Sequence, residues 1–308
     1  MNFLLMTVLV AFRVLGRHRM RSALTMLGII IGVGAVIAMV SIGEGAKAAV
    51  QAQIASFGTN VITVLPGATT VSGVRTGHGG MVTLTVADIE ELKKIPAVTE
   101  VGWSRRDTMQ IIHENKNWFT TVNGVTSGYL TIRGWSTVSG DFFTQTEMDS
   151  GAKVVLLGNT IVNNLFEPGE DPVGASIRIK NMPFKVVGTL EAKGYDTRGS
   201  DQDDVVFIPF TTAERKVMGT KFLGSIGAGF LSAESPEQMP QVVDEVKRIL
   251  RQRHKIRPDK DDDFTVRNQL DIAKVQEGTS ESMKLLLLAV ASISLLVGGI
   301  GIMNILLV

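Results

Sequence analysis

Three aspartates at alternate positions, Asp259, Asp261 and Asp263, have the spacing of an oxygen-donor loop for calcium. Phe264 stands where such a loop needs glycine and Leu270 where it needs a bidentate glutamate, so the run reads as a solvated acidic turn. Asp201, Asp203 and Asp204 cluster in a glycine-containing loop and read the same way. The histidines, His18, His78, His113 and His254, form no H-E-x-x-H pair for zinc, and no G-x-S-x-G elbow presents a nucleophilic serine. A phosphate-cradling G-x-x-x-x-G-K-[ST] loop is also missing: Gly43-Glu44-Gly45-Ala46-Lys47 lacks the spacing and the hydroxyl that would hold magnesium. With no cysteine there are no disulfides, thiolate metal sites or cysteine nucleophiles. Trp103, Trp118 and Trp135 fit strand packing in a core better than a ligand groove. The expectation is a chain that is not an enzyme and has no catalytic residue, metal or cofactor site.

The positioning elements say more than the chemistry. From Ala23 to Ile42 the chain carries no charge, and at about 1.5 Å per residue such a helix spans a hydrocarbon core of roughly 30 Å. A second uncharged run, Leu285 to Val308, follows a polar segment of about 240 residues, enough for one or two domains. The mean hydropathy of +0.21 beside 20% charged residues reflects this mixture of two solvents. A net charge of +1 gives no bulk attraction to nucleic acid.

Arg13, Arg17, Arg19 and Arg21, with His18, precede the first span, and no acidic residue appears before Glu44. These arginines serve as a cytoplasmic anchor, and the central segment is placed outside. A cleavable signal peptide ending near Ala46-Lys47-Ala48 is the rival, although its apolar region would be too long. Residues 1–22 read as a cytoplasmic or interfacial segment, lying on the bilayer or buried against other membrane helices. Within the spans, Gly28 with Gly32 and Gly298 with Gly301 mark faces where another helix backbone can approach closely; the plainer reading is that glycine is common in membrane helices.

The run from Arg21 to Val33, continued by Ser41-Ile42-Gly43-Glu44-Gly45, resembles the first membrane helix of MacB-like ABC transporter permeases of the FtsX superfamily. Gly140 to Thr144, Val154 to Gly158, Asp171 to Gly174, Phe184 to Gly188, Val206 to Pro209 and Gly298 to Asn304 continue the likeness in order. The resemblance implies an α+β fold: two transmembrane helices, 23–43 and 285–308, flanking a periplasmic core domain over 44–284. It further implies a discontinuous porter-like part, about 58–124 plus 225–270, and a β-rich Sabre-like insert, about 125–224. The family has two more helices after the second span, so the chain reads as truncated there.

The implied activity is that of a multi-pass inner-membrane (plasma-membrane) permease subunit of an efflux system. The implied partners are a cytoplasmic ABC ATPase that carries ATP and magnesium, a second copy in a homodimer, and the lipid bilayer. A periplasmic adaptor and an outer-membrane channel join them where the host has two membranes. Two rivals share the layout: an FtsX-like regulator of cell-wall hydrolases and a two-pass ligand-binding sensor.

Read directly, Asn60 to Leu65 is a strand and residues 66–80 a mobile loop. Thr85 with Asp88 resembles a capping box opening a helix Val86 to Ile95, with strand Val98 to Trp103 after it, as a βαβ-like unit. A hairpin joins Gln110–His113 to Trp118–Val122, and short strands 154–157, 177–179, 184–190 and 205–208 flank a helix 160–166. Strand 225–231, helix 236–254 and strand 264–267 repeat the strand-helix-strand order.

Overall fold

Both strand-helix-strand repeats are split, each by a strand of the other. The computed structural model describes residues 60–67, 70–71, 74–75, 83–196, 199–219 and 222–268, together with 30–34, 36–45 and scattered positions near the two ends. The chain divides into two units, Ala52–Asp271 and the pair of end segments Met1–Gln51 with Ile272–Val308.

In the central unit β1 (Val61–Pro66) runs between β11 (Ala228–Ala233) and β12 (Phe264–Asn268), antiparallel to both, and β11 separates it from β4 (Val98–His113). The order β12-β1-β11-β4, with α1 (Val86–Leu92) between β1 and β4 and a long helix between β11 and β12, is a ferredoxin-like arrangement. Alternate side chains of β1 serve two cores: Ile62 and Val64 lie under the helices with Ile89, Leu92 and Leu231, while Val61 joins Phe230 among other residues.

The other elements are inserted between β4 and β11. They comprise β5 (Lys116–Val125), α2 (Ser127–Ile132), β6 (Thr137–Gly140), α3 (Gln145–Ser150), β7 (Val154–Leu157), α4 (Asn159–Leu165), β8 (Ser176–Ile179), β9 (Met182–Leu190) and β10 (Val205–Pro209). A helical turn, Phe210–Thr212, runs on into a π-helical turn, Ala213–Val217. The long β4–β5 hairpin links the two parts: near its start β4 pairs with β11, and near its end Ile111 and Ile112 pair with β8. Its turn rests on Glu114, whose φ of 48° gives the left-handed twist a tight hairpin needs. Parallel pairing of β10 on β5 and of β9 on β7 buries β7 and β10 completely, which explains their unbroken apolar runs.

The long helix, α5 (Met239–Arg253), presents Val242, Val246 and Leu250 to the core at intervals of four. It ends in a Schellman motif: Ile256 N donates to Arg251 O at 2.9 Å and Lys255 N to Gln252 O at 3.2 Å. Lys255 holds the left-handed position with φ 54°, where its Cβ crowds the backbone. Lys255→Gly is expected to raise stability by about 0.5–1 kcal/mol, read as a higher denaturation midpoint at unchanged slope.

Three sequence expectations are corrected. The strand expected from Ser225 begins at Ala228, because Ser225 to Gly227 is tied to Leu84 and Ser104 by single backbone bonds. The helix expected to run to Ile95 ends at Leu92, where Lys93, Lys94 and Ile95 donate to carbonyls three residues back and tighten the last turn. The segment 66–80, expected as a loop, holds a small hairpin of β2 (Thr70–Val71) and β3 (Val74–Arg75).

In the unit of end segments, residues 30–34 and 36–45 are helical, and Ile30, Ile31, Ile37 and Val40 are exposed. Among the described residues no helix is long and apolar enough to cross a membrane. The expected spans 23–43 and 285–308 lie partly outside those residues.

Candidate functional site

Of the positions singled out in the sequence, Gly28, Gly298, Gly301, Arg13, Arg17, Arg19 and Arg21 lie outside the described residues. Gly32 is helical and buried, with Ile31 and Val33 exposed on either side. The central unit instead brings together groups that sequence spacing does not connect.

The first is an ionic cluster joining α1 to α5. Asp88, 5% exposed, accepts from Thr85 N at 3.0 Å and Thr85 Oγ1 at 2.7 Å, and from Arg253 Nε at 2.7 Å. His254 Nε2 lies 3.4 Å from Asp88 Oδ2, and His254 Nδ1 lies 2.7 Å from Asp263 Oδ1. Burial pushes the Asp88 carboxyl up, but the close imidazole of His254 and the hydrogen bonds of Thr85 and Arg253 outweigh it and hold the group well below the usual range. The nearby Asp88 carboxylate raises the His254 pKa against the opposing effect of burial, and Asp263 adds to the rise. Asp263 is thus a partner of His254 instead of a solvated residue, and its carbonyl accepts from Thr83 Oγ1 at 2.7 Å and Gly67 N at 2.8 Å.

The second is the expected solvated cluster at 201–204, and the structure overturns that expectation. Asp203 is 5% exposed and accepts from Lys193 N at 2.8 Å and Gly194 N at 2.9 Å. Asp204 Oδ1 accepts from Trp118 Nε1 at 2.9 Å and Thr120 Oγ1 at 2.7 Å, and Asp201 Oδ2 accepts from Thr160 Oγ1 at 2.6 Å. These carboxylates fasten the chain before β10 to β5 and α4. Lys193 Nζ donates to Arg133 O at 2.6 Å and sits 4.5 Å from the centre of the Trp135 ring. Burial, aided by the Arg133 charge, lowers its pKa to about 8 against the pull of Asp203 and Glu191. Among the described residues no group of three or more His, Asp or Glu side chains is placed to hold a metal ion.

The third is a cleft of about 380 Å³ between α1, the start of β4, α2, α3 and the turn at Phe210. Val101, Trp103, Met148 and Phe210 form its apolar part, with the Trp103 and Phe210 rings edge-on at 6.1 Å. Glu90, Lys93, Glu100 and Asp149 stand around them, three acids against one base, and none of the four makes an ion pair among the described residues. Asp149 Oδ1 accepts from Gln145 Nε2 at 2.9 Å, and Glu100 Oε1 from Val101 N at 3.2 Å. Trp103 Nε1 is buried with no hydrogen-bond partner among the described residues. Nothing in the sequence flagged this cleft, although the Thr144-x-x-Glu147 capping box that opens α3 was readable there.

A sequence model of the MacB-like periplasmic core domain matches residues 22–249. A macrolide export ATP-binding/permease protein MacB of Rhodospirillum rubrum is 41% identical over 97% of this chain and 44% of its own length. That of Syntrophobacter fumaroxidans is 36% identical over 96% of this chain and 48% of its own. The chain belongs to the MacB family. It spans about half the length of the MacB relatives it matches. The fold agrees with the periplasmic region of MacB from Actinobacillus actinomycetemcomitans, at TM-score 0.60 and 21% identity over 73% of this chain and 95% of that one. The extracellular domain of YknZ, a noncanonic ABC-type transporter of Gram-positive bacteria, aligns at TM-score 0.54 and 20% identity over 68% of this chain and all of its own. A MacB-type periplasmic core of α+β content is what these likenesses carry; the cleft and the Asp201–Asp204 cluster lie within the matched residues.

Proposed function

We propose that the chain is the permease part of an export system in which a cytoplasmic ATPase on a separate polypeptide drives the extracytoplasmic domain. The observation that supports this reading is the alignment of nearly the whole chain with export ATP-binding/permease relatives. Two membrane spans, 23–43 and 285–308, anchor the domain to the inner (plasma) membrane, Gly28, Gly32, Gly298 and Gly301 pack the helices, and the arginines from Arg13 to Arg21 hold the N-terminal end in the cytoplasm. A homodimer, an adaptor and an outer-membrane channel complete the assembly in a host with two membranes. ATP and magnesium belong to the partner.

The helix that includes residues 36–45 continues to Gly45, beyond the expected end of the first span at residue 43, and acts as a stiff connector. A flexible Gly-Ser insertion of about six residues between Gly45 and Ala46 is expected to abolish export while leaving the ATPase bound, because a coil absorbs a displacement that a helix transmits. The measurement uses a four-helix version of the chain with its ATPase. Export at the unaltered rate removes the connector from the mechanism, and loss of assembly together with ATP hydrolysis shows damage to the fold instead.

A further inference from the structure

The cleft beside Trp103 has a ligand chemistry of its own. Its apolar part is aromatic and sulfur-bearing, Trp103, Phe210 and Met148, a surface that attracts cations through the ring faces and holds apolar groups by contact. The carboxylates of Glu90, Glu100 and Asp149 exceed the single ammonium of Lys93 by two charges, and none of the four is ion-paired among the described residues. A metal ion fits poorly, since no cluster of three donors is found among the described residues. The volume of about 380 Å³ is at the small end of ligand sites, which run from roughly 300 to 1,000 Å³.

From this combination we propose that the cleft binds a small organic cation with an apolar body, such as an aryl ester carrying a quaternary or protonated amine. The carboxylates and the aromatic wall take the cationic end, and Met148 and Val101 take the apolar body. The site is smaller than a macrolide would need, so it is distinct from a passage for a molecule of that size. It does not rest on the export reading.

The test is isothermal titration calorimetry of the full chain in lipid nanodiscs with benzoylcholine, compared with 3,3-dimethylbutyl benzoate, in which carbon replaces the charged nitrogen. Benzoylcholine is expected to bind saturably at one site per chain and the neutral ester roughly tenfold or more weakly. Glu90→Gln and Asp149→Asn, both at exposed positions, should each weaken benzoylcholine by roughly fivefold. Equal binding of the two esters, unchanged affinity in both carboxylate variants, or no saturable binding of benzoylcholine up to millimolar concentration overturns the proposal. No ATPase takes part, so failure here leaves the export reading standing, and failure of the connector experiment leaves the cleft standing.

Discussion

Asp88→Ala is expected to lower the thermal midpoint of the central unit by about 10 °C, because it strands two cations at once. Arg253 and His254 both converge on this buried carboxylate, and removing one member of a buried ion pair costs about 3 kcal/mol or more. For a unit of this size each kcal/mol moves the midpoint by roughly 2–4 °C. Asp88→Asn separates the contributions: the amide keeps a side-chain oxygen for Thr85 but removes the charge that faces Arg253 and His254.

The same cluster sets a pH window. His254 is raised by Asp88 and Asp263, so its stabilisation is complete below about pH 6.5, the unfolded value, and fades as pH rises through its higher folded value. Asp88 is held low, so its stabilisation is present above about pH 4 and fades as pH falls through its depressed folded value. The charges facing this pair are Arg253 and Asp263, with Glu91 lying 3.9 Å from Arg253. Denaturant midpoints measured across pH should therefore peak between roughly pH 4 and 6.5, and both slopes should flatten in Asp88→Asn. A profile unchanged by Asp88→Asn removes the cluster as their cause.

What the sequence made legible was local. The β-branched run at 61–66, the buried runs of β7 and β10, and the four-residue repeat of Val242, Val246 and Leu250 each carry their own period, and each forms the expected element. Thr85 with Asp88 marked the start of α1, yet the second role of Asp88 depends on Arg253 and His254, some 165 residues away. No spacing rule connects them. Asp201, Asp203 and Asp204 looked solvated because acidic residues near glycine usually are; their burial follows from the backbone N–H groups of 193–194 and the hydroxyls of Thr120 and Thr160, which only the folded chain brings near. Short helices α2 and α3 went unread because six residues give less than two turns of periodicity. The cleft was illegible for a related reason: five separate elements supply its walls.

Gly128→Ala should be the most damaging single-methyl change in that part of the fold. A Cβ at Gly128 would lie 2.0 Å from Val101 O, and one at Gly102 would lie 2.2 Å from Tyr129 N. The two glycines let α2 lie directly on β4, where Thr126 Oγ1 accepts from Trp103 N at 3.2 Å and from Tyr129 N at 3.3 Å. A methyl group cannot be absorbed by a side chain turning away, because its obstacle is backbone, so β4 and α2 must separate. That separation breaks the Thr126 bonds and loosens the packing of Tyr129 against Phe207 and Phe230. The expected cost is about 3 kcal/mol, the upper part of the range for overpacking. Gly45→Ala, where nothing lies within 4 Å, provides the contrast and should be neutral or slightly stabilising. If Gly128→Ala unfolds at the same denaturant concentration as the unaltered chain, β4 and α2 are not in the close contact that shapes one wall of the cleft.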